Sequence, residues 1–151
     1  MKIAAALGLA STLLSITSCA GMKPDNPGVE GGRLAPCPSS PNCVSSDAPD
    51  AAHRIEPYRL KGKPQQAWAA LQQTVSSLPR TKVVSATGDY LRAESTSLIF
   101  RFVDDIEFQL RPEQGVIAVR SASRIGYSDL GVNRRRVETI RERLRSQGEV
   151  E

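Results

Sequence analysis

The sequence predicts an α+β protein: an antiparallel sheet of four or five strands with two helices packed on one face. Two patterns lead to this prediction. Apolar residues recur at intervals of three and four near residues 64–78 and near 133–146, whereas between 82 and 123 they alternate with polar residues. Helical segments on both sides of an alternating segment are typical of a sheet covered by helices. We expect this single domain to occupy residues 37–151.

The first helix is predicted from Pro64 to about Leu78. Proline suits the first turn of a helix, and Pro79 ends the segment because the residue before a proline disfavours helical geometry. Its apolar stripe consists of Trp68, Leu71, Val75 and Leu78. This spacing favours a core position for Trp68 over an exposed platform for a ligand.

The second helix is predicted to end near Ser146, with Asp129 or Asn133 as its cap. Its apolar stripe consists of Val137, Ile140 and Leu144. The arginines of this segment mostly face elsewhere, and two glutamates stand at pairing distance along the helix. We therefore expect most of this arginine run to be a solvated face.

The first predicted hairpin turns at the Gly-Asp pair 88–89, which suits a two-residue turn. This turn would place Ala86 opposite Leu91 and Val84 opposite Ala93, all on one face of the sheet. An earlier strand is expected in the stretch that contains the sequence PYRL.

A second turn at residues 96–97 would keep the apolar residues on the same face and pair Ala93 with Phe100. It would also set Arg92 opposite Arg101, which counts against this register because like charges repel.

Residues 98–110 are predicted to form one long strand. Without a turn its apolar residues share one face, namely Leu98, Phe100, Phe102, Ile106, Phe108 and Leu110. A turn at the two central aspartates would mix apolar and polar positions on each face. A four-residue loop after this strand then pairs Leu110 with Ile117 on the inner face and Glu107 with Arg120 on the outer face.

Residues 1–18 have the pattern of a lipoprotein signal peptide. A basic start at Lys2 precedes an apolar run at 3–14 that is too short for a stable membrane span. The run leads into ITSC, residues 16–19, which resembles the lipobox of bacterial lipoproteins, so Cys19 is the predicted lipidation site. The alternative is an ordinary secretory signal with an incidental cysteine.

A lipidated Cys19 would anchor the chain firmly, since each buried methylene of the acyl chains contributes about 0.8 kcal/mol. In enterobacterial lipoproteins an aspartate after this cysteine favours the inner membrane, so Ala20 favours the outer membrane. We therefore expect a lipid-anchored protein of the bacterial cell envelope that faces the periplasm. Residues 19–36 are rich in Gly and Pro without a period, and they predict a flexible tether.

The remaining two of the three cysteines are Cys37 and Cys43, in the stretch CPSSPNC. An exported protein folds in an oxidising compartment, where an even pair of cysteines favours a disulfide. The alternatives are two free thiols or half of a metal site. A metal site would lack ligands, because the chain has one His and no further Cys.

The sequence contains none of the common catalytic motifs: there is no Walker loop, no HExxH and no GxSxG. The single histidine, His53, falls in a polar linking segment, where a surface position is expected. Asp104 and Asp105 are neighbours on a strand, so they point to opposite faces and cannot form a carboxylate pair. We predict no catalytic residue, no metal site and no cofactor.

A polar cluster is predicted where the sheet meets the second helix. Its members are Asp104, Ser121, Ser123, Arg124, Tyr127, Asp129, Asn133 and Arg136. In the structural interpretation, Asp104 is a buried carboxylate that Arg124 or Arg136 satisfies, because a buried charge needs a partner. In the functional interpretation, the cluster lines a pocket for a small polar or anionic ligand.

Three long segments resemble the bacterial family known as domain of unknown function 1499: LAPCPSSPNCVSS, IFRFVDDIEFQL and VRSASRIGYSDLGVNRRRVE. The resemblance covers about residues 34–146, which is nearly all of the mature domain. The family also occurs in plastid-bearing organisms. It has no assigned biochemical activity, so the resemblance implies no mechanism.

These observations favour a lipid-anchored, non-enzymatic envelope protein with a binding or assembly role. Its expected partners are the membrane, through the anchor, and a small polar or anionic ligand or an envelope protein. One alternative is an envelope hydrolase that acts on lipid or glycan, and another is a binder of anionic surfaces through the helix arginines. The formal charge of +4 is mild, and export argues against nucleic acid as a partner.

Overall fold

The computed structural model describes residues 28–151. The predicted signal peptide, the lipidation site Cys19 and the first part of the predicted tether lie outside the described residues.

The described chain forms one antiparallel sheet of six strands, a two-stranded hairpin and two helices. In chain order the elements are β1 (Val29–Glu30), β2 (Arg33–Leu34), β3 (Cys43–Ser45), β4 (Tyr58–Arg59), α1 (Pro64–Ser76), β5 (Thr81–Ala86), β6 (Tyr90–Thr96), β7 (Val103–Arg111), a short 3-10 turn (Pro112–Gln114), β8 (Val116–Ser123) and α2 (Val132–Ser146). The main sheet has the order β3-β8-β7-β6-β5, and β4 also pairs with β8. The predicted α+β class is confirmed, and the sheet has six strands where four or five were expected.

In the main sheet, the strand that sequence reasoning missed is β3. It is three residues long and contains a single branched apolar residue, Val44, so no alternating pattern marks it. All three of its residues are buried, because β3 pairs with the end of β8, with Val44 opposite Ser121.

Both helices contribute to one hydrophobic core on the inner face of the sheet. The helix side of this core includes Trp68, Leu71, Val75, Val137, Ile140 and Leu144. The predicted core position of Trp68 is confirmed, since it is 5% exposed. Tyr58 of β4 lies between the layers, and its hydroxyl donates to the carbonyl of Val137 at 2.8 Å, which ties β4 to α2.

The predicted pairing of the two central strands is confirmed. Leu110 lies opposite Ile117 on the inner face, and Glu107 lies opposite Arg120 on the outer face. The predicted turn of the first hairpin is also confirmed, since Ala86 pairs with Leu91. The next pair of that hairpin was predicted wrongly: the register shifts between Val83 and Ser85, and Val83 rather than Val84 faces Ala93.

The predicted strand over 98–110 is wrong in its first half. β7 begins at Val103, and residues 97–102 form the loop of the β6–β7 hairpin. Ala93 consequently pairs with Ile106 instead of Phe100. The displacement is six residues, and because it is an even number it leaves the paired residues of β6 and β7 on their predicted faces, whereas Leu98, Phe100 and Phe102 leave the sheet.

The sequence predicted a tether through Pro36, but residues 28–36 belong to the fold. Gly31 and Gly32 turn the β1–β2 hairpin with φ of 56° and 77°, values that glycine adopts without steric cost. Leu34 is 3% exposed. The backbone N–H of Gly28 donates to Glu107 at 2.8 Å, so this segment covers part of the outer face of the sheet.

Candidate functional site

The inner-face part of the predicted polar cluster is held by one ion pair. Asp104, near the start of β7, accepts a hydrogen bond from the guanidinium of Arg136 at 2.6 Å. Asp104 is 7% exposed. The alternative partner, Arg124, lies on the other face of the sheet. Ser123 pairs with Asp104 and shares its face, so the next residue, Arg124, points to the opposite face, where it binds Asp105.

Asn133, in the first turn of α2, connects the rest of this cluster. Its amide oxygen accepts hydrogen bonds from Ser121 at 2.6 Å and from Arg136 at 2.7 Å. Its amide nitrogen donates to the hydroxyl of Ser123 and to the carbonyl of Asn42, both at 3.0 Å. The side chain is fully buried, and these four bonds use its donors and acceptors within the protein.

Two further members of the predicted cluster stand outside this network. Asp129 accepts hydrogen bonds from the backbone N–H groups of Gly131 and Asn133, at 3.0 and 2.7 Å. It thereby satisfies orphan donors at the start of α2. Tyr127 is 77% exposed. The structure thus joins the side chains of Asp104, Ser121, Ser123, Asn133 and Arg136 in one network. Asp129 meets that network only through the backbone N–H of Asn133, and Arg124 and Tyr127 lie apart from it.

Arg124 belongs to an ion network on the outer face that sequence reasoning missed. It donates to Asp105 at 2.7 Å and to Glu94 at 2.5 Å, and Arg92 donates to Asp105 at 2.8 Å. Burial would raise the pKa of Asp105, but the hydrogen bonds from Arg124 and Arg92 outweigh it and hold this pKa below its usual value.

A second group on the outer face surrounds Glu107, whose side chain is fully buried. Arg120 donates to it at 2.8 Å, and the Tyr90 hydroxyl donates at 2.7 Å. Burial and the negative charge of Glu107 raise the pKa of Tyr90 above its usual value. The sequence shows the Glu107–Arg120 pair by register, but it does not show that residues 28–36 cover it.

Cys37 and Cys43 form the predicted disulfide, with an S–S distance of 2.04 Å. It closes the loop before β3 and borders a cavity of about 390 Å³ on the outer face. Two charges beside this cavity, Asp105 and Arg124, are already bound to each other. The third, Arg120, binds Glu107 but leaves its buried Nε without a hydrogen-bond partner in the described chain.

Most arginines of α2 are exposed, as predicted: Arg134, Arg135, Arg143 and Arg145. By contrast, Arg141 serves the fold. Arg141 is 7% exposed, donates to the carbonyls of Glu56 and Pro57 and lies 4.7 Å from the ring centre of Tyr58. Such a contact is a cation–π interaction. Arg134 donates to two backbone carbonyls before β4.

Two adjacent loops at the end of the sheet where β7 begins and β8 ends carry exposed apolar side chains, and the backbone N–H of Arg124 donates to the carbonyl of Val103 between them. We call these side chains together the apolar edge: Leu98, Ile99, Phe100, Phe102, Tyr127 and Leu130. Exposure ranges from 41% for Phe102 to 84% for Leu130. The two aromatic rings of the β6–β7 loop stack on each other with centroids 5.4 Å apart. Sequence reasoning placed Phe100 and Phe102 in the core and therefore missed this surface.

Two further properties concern the described chain alone. Between residues 28 and 151, no helix is long and apolar enough to cross a membrane. Within the same range, no group of three or more His, Cys, Asp or Glu side chains is placed to hold a metal ion.

A family model described as "Protein of unknown function (DUF1499)" matches residues 33–144. The matched range begins in β2 and ends in α2. It therefore contains the main sheet, the Asp104–Arg136 ion pair, the ion network around Asp105 and the apolar edge. A search of curated proteins found no match.

Proposed function

Because the chain belongs to the DUF1499 family, which supplies no activity, we propose from the site itself that this protein is a lipid-anchored, non-enzymatic binding module of the cell envelope. Cys19 is its anchor, and its place is the outer membrane, facing the periplasm. The observation that carries the binding role is the apolar edge, with six exposed apolar side chains from two adjacent loops.

The polar cluster supports a structural role better than a catalytic one. A general base or nucleophile must reach a substrate atom, and its pKa must suit that task. Ser121 is fully buried and donates to Asn133, and Asp104 is held by Arg136. The hydrolase alternative would have to use exposed groups such as Tyr127, which has no base beside it among the hydrogen bonds of the described chain.

The binding role follows from what the apolar edge exposes. Scattered apolar residues on a surface need no explanation, but a contiguous group of large ones is typical of an interaction site. Leu98, Ile99 and Phe100 are consecutive, and each is at least 69% exposed. Stacked aromatic rings give a surface of this kind a rigid contact area.

The anchor is tested by replacing Cys19 with Ser and growing both strains with a labelled fatty acid. The wild-type protein should carry the label and partition into detergent, and the Cys19→Ser variant should carry none. Cys37→Ser is the matched control, because that cysteine is in the disulfide and its loss should leave labelling intact. Equal labelling of wild type and Cys19→Ser would contradict the anchor.

The binding role is tested by placing a photo-crosslinking amino acid at Phe100 or at Glu113 in living cells. Both positions are exposed, and Glu113 lies in the turn between β7 and β8 at the opposite end of the sheet. We expect adducts at position 100 and none at 113. Absence of adducts at both positions would contradict a binding role for the apolar edge.

The enzyme alternative is tested by assaying the purified protein for hydrolysis of envelope lipid or glycan. Activity that is lost in Tyr127→Phe or Asp129→Asn would favour the hydrolase. We expect no such activity.

A further inference from the structure

Three loops meet at the apolar edge. The β6–β7 loop spans 97–102, and the segment 124–131 leaves β8 directly beside it. The two are adjacent because the backbone N–H of Arg124 donates to the carbonyl of Val103 at 3.2 Å. The turn between α1 and β5 completes the group, since the carbonyl of Arg80 accepts a hydrogen bond from the last residue of β6 at 2.9 Å.

Each of these three loops contains a strained residue. Arg80, Arg101 and Leu130 have φ of 54°, 57° and 52°, and they are the non-glycine residues with positive φ in the described chain. Glycine would adopt this conformation without steric cost. All three positions instead carry long side chains that are exposed. Strain of this kind is enriched at functional sites, including ligand-binding sites.

The charge around the apolar edge is positive. Asp104 and Glu94, the nearest carboxylates on the strands, are in ion pairs with arginines. Asp129 keeps its negative charge and accepts hydrogen bonds from two backbone N–H groups, so it is one carboxylate against two exposed arginines. Arg80 and Arg101 are exposed beside the apolar side chains. The surface therefore combines large apolar groups with cations.

The anchor would bring this surface close to lipid. Gly28, the first described residue, is bound to Glu107, which lies four residues along β7 from Val103, or about 13 Å. Nine peptide units separate Cys19 from Gly28, and they span at most about 30 Å. The distance from the anchor to the apolar edge therefore falls within the reach of the chain.

We propose that the apolar edge inserts into the interfacial layer of the membrane that holds the anchor, with Arg80 and Arg101 against anionic lipid headgroups. This inference rests on the proposed function, because the Cys19 anchor supplies the proximity. Aromatic and aliphatic side chains enter this layer, and basic residues at the same level add affinity for anionic lipid. A second copy of the chain fits the surface less well, because a two-fold contact there would bring like-charged arginines together.

The experiment introduces a tryptophan at the apolar edge in the full lipoprotein. Phe100→Trp is compared with Glu113→Trp, and Trp68 is a common buried background in both. Each protein is reconstituted into vesicles of phosphatidylcholine and phosphatidylglycerol, with or without brominated acyl chains, because bromine quenches tryptophan only at close range. The added emission of Phe100→Trp should shift to shorter wavelength and be mostly lost in brominated vesicles, whereas that of Glu113→Trp should do neither.

The role of charge is tested in the Phe100→Trp protein by a further change. Arg101→Glu should reduce quenching in vesicles that contain phosphatidylglycerol and change it little in pure phosphatidylcholine. Lys61→Glu makes the same charge change at an exposed position next to Leu60, which is bound to the opposite end of the sheet, and it should leave quenching unchanged. Equal effects of the two substitutions would overturn the role of Arg101.

Failure of the inference can be separated from failure of the anchor. The mass of the N-terminal peptide from the same preparation reports whether Cys19 carries acyl chains. If Cys19 is acylated and Phe100→Trp is quenched no more than Glu113→Trp, membrane insertion is overturned and the anchored module stands. If Cys19 is unmodified but Phe100→Trp is quenched, the anchor is wrong and insertion is supported.

One outcome would replace the membrane with another occupant. If the emission of Phe100→Trp shifts with protein concentration in detergent and does not respond to brominated lipid, the apolar edge is a contact between protein molecules and the inference is overturned. Far-UV circular dichroism of each variant checks that the fold is intact, which we expect because Phe100 is 69% exposed.

Discussion

Asp104 and Asp105 are consecutive residues of β7, and arginines bind their carboxylates on opposite faces of the sheet. Asp104 accepts from Arg136 of α2 at 2.6 Å, and Asp105 accepts from Arg124 at 2.7 Å and from Arg92 at 2.8 Å. Alternation along the strand makes this separation unavoidable. One dipeptide therefore joins the second helix to the inner face and closes an ion network on the outer face.

Asp105→Asn should destabilise the protein by about 3–5 kcal/mol, because it leaves two largely buried arginines, Arg92 and Arg124, with Glu94 as their remaining carboxylate partner. The Asp105 side chain is 1% exposed, and that of Arg124 is 5% exposed. The matched control is Glu142→Gln, which breaks an exposed pair with Arg145 and should cost under about 1 kcal/mol. Denaturant unfolding of both variants measures the difference. Equal costs would mean that the outer-face network is solvated.

The ion pairs of Asp105 with Arg124 and Arg92 predict that the stability of the protein depends on pH in the acid range. The folded-state pKa of Asp105 lies below its ordinary value of 3.8. Its contribution to stability is therefore fully present above the unfolded-state pKa and is lost as the pH falls through the lower folded-state pKa. The stability difference between wild type and Asp105→Asn should shrink as the pH is lowered below about 4. A difference that stays constant with pH would contradict the ion pairing of Asp105.

Asp104→Ala and Arg136→Ala should each cost about 3–5 kcal/mol, since each leaves the other charge uncompensated near the core. Arg143→Ala removes an exposed arginine of the same helix and should cost under about 1 kcal/mol. The double variant should cost less than the sum of the two single ones, because the pair is lost only once. Additive costs in denaturant unfolding would contradict the pair. If Asp104→Ala left the fold stable but abolished retention of a ligand, the functional interpretation of the cluster would be favoured.

The alternation of apolar and polar residues along β7 predicted the face of Asp104 correctly, although the predicted register between β6 and β7 was wrong. The expected pairing of Ala93 with Phe100 is displaced by six residues from the observed pairing with Ile106. A period of two cannot detect an even displacement. The charges did carry a signal, because the predicted register opposed Arg92 to Arg101, whereas the observed one opposes Arg92 to Glu107.

The outer-face network could not be read from the sequence for a different reason. Alternating charges on one face of a strand are typical of a solvated surface, and nothing in the Gly-rich residues 28–36 indicates that they cover one. Their hairpin depends on local turn geometry and on a bond from Gly28 to Glu107, across 79 positions of the chain. Such long-range contacts leave no periodic trace in the sequence.

Replacing Cys37 and Cys43 together by Ser should lower the free energy of unfolding by roughly 2 kcal/mol, because the bridge closes a short loop. Denaturant unfolding of the double variant and of the wild type, with and without reductant, measures this. Reductant should lower the wild-type stability toward that of the variant and leave the variant unchanged. Alkylation of both cysteines in the unreduced native protein would contradict the disulfide.

Phe100→Ala and Phe108→Ala make the same chemical change at two positions of equal parity, so they compare exposure alone. Phe108 is fully buried in the core, and its truncation should cost about 3–5 kcal/mol. Phe100 is 69% exposed in the β6–β7 loop, and its truncation should stay within about 0.5 kcal/mol. Denaturant midpoints of the two variants and the wild type decide between the predicted pairing of Ala93 with Phe100 and the observed pairing of Ala93 with Ile106. A large loss of stability in Phe100→Ala would place that ring in the core, and the apolar edge would lose its most prominent aromatic side chain.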